Sequence, residues 1–395
     1  MVTAGVLLAT RWSTSELADR SGRADSVRGH RLLTEGPGTT GDAAMWGAPM
    51  TALLIVLAVG FAYSMGAHYT GACMGMPHAL GAVSARRGLL VMAPLTLVGA
   101  TFASHGVEHT VGHGLLAGAG LSVAGLVVVL GVAFGLTSLF NRLRLPTSTI
   151  QILVFSVVGA GLAAQVGVQW SHVAELAVIW ASAPVVAAMA GYLLTRLFDL
   201  VPAVPVEASH DPAHTDRRAP TGPATAAATA TASTGGWLAG SLVLVGALAS
   251  FAMGSNDVAN ATGSLVGTHT LGPLLAGLVG GLGLAAGVLT WGRPLLRRVA
   301  FDIVTVDRPM ATAAQLVQAA VVLSAVGLGF FTSMNQALVG AMTGAGIARG
   351  RHTVQTSTLI GILRGWLLGP GAGIALAYGL TRLAVAAAGA RYLVG

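Results

Sequence analysis

Lysine is absent from this sequence, and all 21 basic residues are arginine. Charge of either sign is scarce, at 9% of residues, where an ordinary soluble domain carries about a quarter. With 54% hydrophobic residues, a soluble fold could not cover its core. Cysteine is nearly missing as well, and the single Cys73 excludes an intramolecular disulfide and a multi-cysteine metal cage. The arginines are spread over loops, so they form no clustered basic face of the kind that binds nucleic acid. The apolar stretches show no alternation with a period of two, which excludes a membrane β-barrel.

What remains is long, apolar, Gly- and Ala-rich sequence. A helix crosses a hydrocarbon core of about 30 Å with roughly 20 residues, and Leu115 to Phe140 is one stretch that qualifies. By that length the chain holds roughly ten segments, an all-α polytopic membrane protein. Two polar regions interrupt it. Residues 1–45 hold arginine and acidic residues among Ser, Thr and Gly without apolar periodicity, and read as a disordered N-terminal tail. The apolar stretch Val6 to Ala9 is too short for a signal peptide. Residues 201–236, rich in Pro, then Thr and Ala, read as a linker between a first membrane repeat, 46–200, and a second, 237–395.

The two repeats resemble each other. MGAHYTGACMG at 65–75 matches MGSNDVANATG at 253–263, an offset of 188. TSTIQILVFSVVGAG at 147–161 matches TSMNQALVGAMTGAG at 332–346, an offset of 185. Trp180 and Pro184 match Trp366 and Pro370, an offset of 186. Equivalent loops carry opposite charge character. Arg86, Arg87, Arg142 and Arg144 have no basic counterparts near Thr270 and Gly327, and Arg293, Arg297, Arg298, Arg308, Arg349 and Arg351 have none in the first half. Because basic loops stay in the cytoplasm, the repeats are expected to be inverted, with the linker inside. The arginines of the N-terminal tail then fall on the outside, against the rule. Inverted repeats with broken or re-entrant helices and a site near the midplane are a recurrent plan of secondary transporters.

Of the fourteen acidic residues, Asp257 alone sits inside an apolar segment. An Asp at the centre of a membrane helix costs about 2.5–3.5 kcal/mol on insertion scales, so it is a functional candidate; the bland alternative is an Asp at a helix end near water. Gly254 is expected to break the helix there. The exposed carbonyls with Asn256, Asp257 and Asn260 would then suit a cation, and the exposed N–H groups an anion. The hydroxyls of Ser148, Thr149 and Ser333 stand at a second pair of expected breaks, where they either donate to an oxyanion or bond back to their own helices. Arg364 either faces the bundle interior or snorkels to the cytoplasmic surface. His105, Glu108, His109 and His113 share a helical spacing that could hold a metal ion, although an outer loop explains them too.

At GSNDVANATG the chain resembles the inorganic phosphate transporter family, PiT, whose repeated signature is close to GANDVANA. The resemblance runs from about Gly47 to Leu383. It implies that Asn256, Asp257 and Asn260 occupy the family's essential motif, and Ser148, Thr149 and Ser333 its PxSTTH patches, lining a central site for phosphate and a coupling Na⁺ or H⁺. Three departures stand out. His68, Tyr69 and Ala72 align with the Asn, Asp and Asn of the first motif, so one acidic centre is gone. Gln151 and Gln336 replace both patch histidines. In a Gly/Ala-rich first motif without Asp, in the Gln of the second patch, Gln336, and in a basic residue at the position of Arg364, the chain resembles the sulfate permease branch of the family. The reading is therefore a plasma-membrane, multi-pass symporter of phosphate, with sulfate as the alternative anion and no cofactor beyond the coupling ion. Losing a carboxylate favours H⁺ over Na⁺, through Asp257 with His68. A non-transporting anion receptor is the rival class, an enzyme is excluded because Ser148 has no sequence-local base, and homo-oligomerisation is left open.

Overall fold

The computed structural model describes residues 40–107, 115–118, 120–200, 227–296, 306–350 and 354–395; at 40–46, 227–236, 358, 388 and 391 only the backbone is described. Two compact units are distinguished, Met1–Leu53 and Leu54–Gly395. Within the first unit only the opening turns of the first helix are described. All packing discussed below lies inside the second.

Among the described residues, ten helices of 15 residues or more run in two sets of five. The first set is α1 (Thr40–His68), α2 (Ala85–Phe102), α3 (Val123–Leu143), α4 (Thr149–Ala163) and α5 (Trp170–Asp199). The second is α6 (Ala227–Gly267), α7 (Pro273–Trp291), α8 (Arg308–Gly327), α9 (Met334–Arg349) and α10 (Thr356–Ala388). Each helix thus has its counterpart five places on. Among the described residues, seven spans are long and apolar enough to cross a membrane, with α4 a shorter apolar helix, and the chain is a multi-pass membrane protein. α1 starts at Thr40 and α6 at Ala227, so helix reaches into both stretches that read as polar tail and linker.

Glycine contacts show the internal symmetry directly. A Cβ on Gly66 of α1 would stand 2.0 Å from the Leu284 carbonyl oxygen of α7; one on Gly254 of α6 would stand 2.0 Å from the Thr96 carbonyl oxygen of α2. Both the glycines and their partners are 188 residues apart. The pair Gly99 to Phe251 (2.2 Å) and Gly287 to Tyr63 (1.8 Å) repeats the relation at the same offset. Helices in lipid gain no hydrophobic drive from meeting, so close backbone approach through small residues supplies the packing. Gly340 and Gly344 of α9 likewise approach the Pro184 and Ala188 carbonyls of α5, while Gly159 of α4 approaches the Ile374 carbonyl of α10. The short helix of each repeat therefore packs on the last helix of the other.

The ion pairs among the described residues lie on one face of the protein. On the face read as cytoplasmic, Arg349 at the end of α9 pairs with Asp199 at the end of α5 and, at 3.2 Å, with Asp307 before α8. Arg308 donates to the Leu80 carbonyl there at 3.3 Å. On the opposite face the Ala117 N–H donates to the Gly167 carbonyl, the Gln169 N–H to Leu115 and the Ser122 N–H to Leu393. Side chains such as Leu244, Val178 and Leu367 are exposed around the bundle, where lipid would cover them.

Candidate functional site

The helix breaks fall elsewhere than at Gly254. α6 runs unbroken through the whole GSNDVANATG motif. Gly254 is there for close approach to α2, which a side chain would prevent. In the first repeat the equivalent segment widens into a π-turn, Gly71–Gly75, and Gln315 of α8 donates to the carbonyls it redirects, Ala72 at 3.3 Å and Cys73 at 2.6 Å. The re-entrant elements are α4 and α9. At 15 and 16 residues they are about 22–24 Å long, too short to cross. Their N-caps Ser148 and Ser333, and Thr147 and Thr332 before them, are buried.

Each of these buried starts is held by the motif of its own repeat. Asn256 donates from Nδ2 to the Thr332 carbonyl (2.8 Å) and accepts the Thr332 N–H on Oδ1 (3.1 Å). His68, at the position equivalent to Asn256, meets the equivalent Thr147: its Nε2 lies 3.1 Å from the carbonyl oxygen and 3.4 Å from the backbone nitrogen. The two starts also meet each other, because Asn335 of α9 donates to the Thr147 carbonyl at 2.8 Å.

Two helix N-termini thus open onto one buried place. The first backbone N–H groups of a helix have no partner within it, and the macrodipole makes that end attractive to an anion. Ser148 makes no capping bond and its Oγ is unpartnered among the described residues, as are the Thr147 and Thr332 hydroxyls. Ser333 instead accepts the Gln336 N–H at 3.4 Å. Thr149 is engaged by Tyr69, hydroxyl to hydroxyl at 2.8 Å.

A set of acceptors lies beside these donors. Asp257 and Asn260 are buried on α6, with Asn260 Nδ2 3.4 Å from Asp257 Oδ1. Tyr69, Cys73 and Asn256 interact electrostatically with Asp257. Asp257 Oδ2 and the amide oxygens of Asn260, Gln151, Gln315, Gln318, Asn335 and Gln336 have no partner among the described residues. Unsatisfied buried polar atoms are rare in folded proteins and mark places where a polar ligand or proton completes the network. A cavity of about 340 Å³ reaches Asn260 from the face read as external, with Ser264 and Thr268 along its α6 wall and Leu126, Leu130 and Leu153 opposite.

Eight of the nine residues singled out from sequence are therefore buried in this central region: His68, Ser148, Thr149, Asn256, Asp257, Asn260, Ser333 and Gln336. Arg364 is not. It is exposed on α10, which removes the interior reading and leaves snorkelling. Of the histidine-rich segment, Glu108, His109 and His113 lie outside the described residues, and no metal-binding group occurs among those described. Sequence reading missed Asn141, Gln315, Gln318 and Asn335. Gln315 and Gln318 carried a signal, two amides one turn apart inside an apolar helix.

The fold and this site define a polytopic transporter with a central polar site between two repeats. The chain matches the Phosphate transporter family over residues 65–377, and belongs to it. It is 24% identical over 386 residues to a protein of Pyrococcus horikoshii whose name assigns it to the phosphate permeases, covering 81% of this chain and 94% of that one. To a Mycobacterium leprae protein named as a low-affinity inorganic phosphate transporter it is 27% identical, covering 80% and 73%. The solved structure titled "The sodium-dependent phosphate transporter" shares the fold at a TM-score of 0.74 and 20% identity, over 85% of this chain and 99% of that one.

Proposed function

We propose that this chain carries inorganic phosphate into the cell in symport with protons, by alternating access of its two repeats around the site at α4 and α9. The observation that supports this most is the meeting of two buried helix N-termini, with unpartnered hydroxyls, beside the buried carboxylate of Asp257. The N–H and hydroxyl donors of Ser148, Thr149 and Ser333 bind the oxyanion without neutralising it. Asp257, with Asn256 and Asn260, supplies the coupling group. A proton needs one titratable oxygen, whereas a hard cation such as Na⁺ prefers several oxygen ligands with compensating charge. The first repeat has Tyr69 where a second carboxylate would stand.

Sulfate is the second reading, favoured by Gln151 and Gln336. Neutral amides at both patch positions remove two groups that could exchange a proton with the anion, and sulfate carries none at neutral pH. Uptake of labelled phosphate and, separately, of labelled sulfate into proteoliposomes, each competed with the other unlabelled anion, tests both. Phosphate uptake that sulfate leaves unblocked supports the first reading, and sulfate uptake that phosphate leaves unblocked supports the second. No uptake of either anion contradicts transport and leaves a receptor.

A further inference from the structure

His68 meets Thr147 through a single atom, Nε2, where Asn256 meets Thr332 through two. Asn256 makes both contacts to Thr332 at once, donating with one atom and accepting with the other. An imidazole Nε2 does only one of these at a time, and which one depends on its proton.

The hydrogen bonds settle the ring's tautomer. Asn141 donates from Nδ2 to the Ser64 carbonyl at 2.7 Å, so its Oδ1 faces His68 Nδ1 at 2.6 Å and accepts a hydrogen bond from it. Neutral His68 therefore carries its hydrogen on Nδ1 and a lone pair on Nε2. That lone pair takes the second hydrogen of Asn335 Nδ2, at 3.2 Å, and the Thr147 N–H. It also faces the Thr147 carbonyl oxygen at 3.1 Å, acceptor against acceptor. A protonated ring reverses this. Nε2–H then donates to the Thr147 carbonyl, as Asn256 does to Thr332, and no longer accepts from Asn335.

We propose that His68 is a proton-operated latch between the repeats: neutral, it adds a second hold on Asn335 at the start of α9; protonated, it grips Thr147 of its own repeat and leaves Asn335 held by the Thr147 carbonyl alone. This rests on the oxyanion site proposed above, because Asn335 stands two residues after Ser333. Histidine is the side chain that ordinarily titrates between about pH 5 and 8. Its neighbours on α3, on α9 and before α4 are the uncharged Asn141, Asn335 and Thr147. The titratable groups nearby are Tyr69, whose ring meets His68 edge-on at 5.1 Å, with Cys73 beyond it and Asp257 facing Tyr69 from α6. His68 is thus a positioning residue, and protons act through it on the mobility of α9.

The test is phosphate exchange at equal pH on both sides of proteoliposomes, comparing His68→Asn with the parent across about pH 5 to 8. The ratio of the two rates cancels the titration of phosphate and of Asp257. An asparagine at position 68 imitates the protonated ring, so the ratio should rise about threefold or more toward alkaline pH. A ratio independent of pH, or falling with it, overturns the proposal. Nitrogen-15 spectra of histidine-labelled protein give a readout that needs no transport. Neutral His68 should show a bare Nε2 whose signal shifts in Asn335→Leu, and a neutral ring protonated on Nε2 overturns the latch. If neither variant nor parent exchanges phosphate while this signal behaves as expected, the latch stands and the anion assignment fails.

Discussion

The two repeats keep the same packing and divide the chemistry. Gly66 and Gly254, or Gly99 and Gly287, meet equivalent carbonyls at equivalent distances. Capping is preserved too: Ser122 accepts the Gly125 N–H and Asp307 accepts the Met310 N–H, at positions 185 apart. The polar pairs diverge. Asn256, Asp257, Asn260 and Asn335 of the second repeat stand at the positions that His68, Tyr69, Ala72 and Ile150 hold in the first. Backbone approach leaves no latitude at a glycine, because any added atom collides with a carbonyl.

The comparison breaks most severely if its glycines are filled. Gly287→Val and Gly99→Val should each force two helices apart, costing about 1–3 kcal/mol or more, with parallel losses of folded protein in detergent melts. Gly131→Ala, with nothing within 4 Å of its added Cβ, should leave the melt undamaged or raise it slightly. Unequal damage from the two valines would show that the symmetry is not one of energy.

Orientation comes next. Ser84 and Gly272 are the N-caps of α2 and α7, equivalent and exposed. Introduced cysteines should be labelled by impermeant reagents from opposite sides, Ser84→Cys from the cytoplasm and Gly272→Cys from outside. Both responding from one side would mean parallel repeats.

The smaller effects concern the Ser122 to Asp307 exchange, which puts charge on one face only. Arg349→Ala leaves Asp199 and Asp307 unpaired and should cost about 1–2 kcal/mol. Asp307→Asn keeps a good cap and should cost about 1 kcal/mol or less. Burial pushes the Asp307 carboxyl above its ordinary range, against the Met310 N–H and Arg349. A raised acid contributes stability that is full below about pH 4 and fades as pH rises through the raised value. Melting of Asp307→Asn across that window should therefore depend less on pH than the parent.

Much of this was legible in the sequence, for reasons that differ by residue. The offsets 188 and 185 pair His68 with Asn256 and Thr147 with Thr332, and the fold joins each motif to its own patch. Asp257 stood out because apolar sequence surrounded it. Gly254 misled, since a glycine reads alike whether it breaks a helix or admits a neighbour, and only the position of α2 decides. Arg364 misled in another way: a long side chain can leave the interior from a helix that is otherwise apolar. Asn335 was in view inside TSMNQ, but its contact with His68 spans 267 residues, and no local spacing announces that.

The direct measurement is phosphate uptake into proteoliposomes with Na⁺ replaced by choline and an inward pH gradient imposed, for the parent and for Asp257→Asn. A single coupling carboxylate predicts full uptake by the parent without Na⁺, collapse when the gradient is removed, and a loss of about a hundredfold or more in Asp257→Asn, whose amide cannot cycle a proton. Uptake that requires Na⁺ and ignores the gradient, or survives in Asp257→Asn, would contradict it.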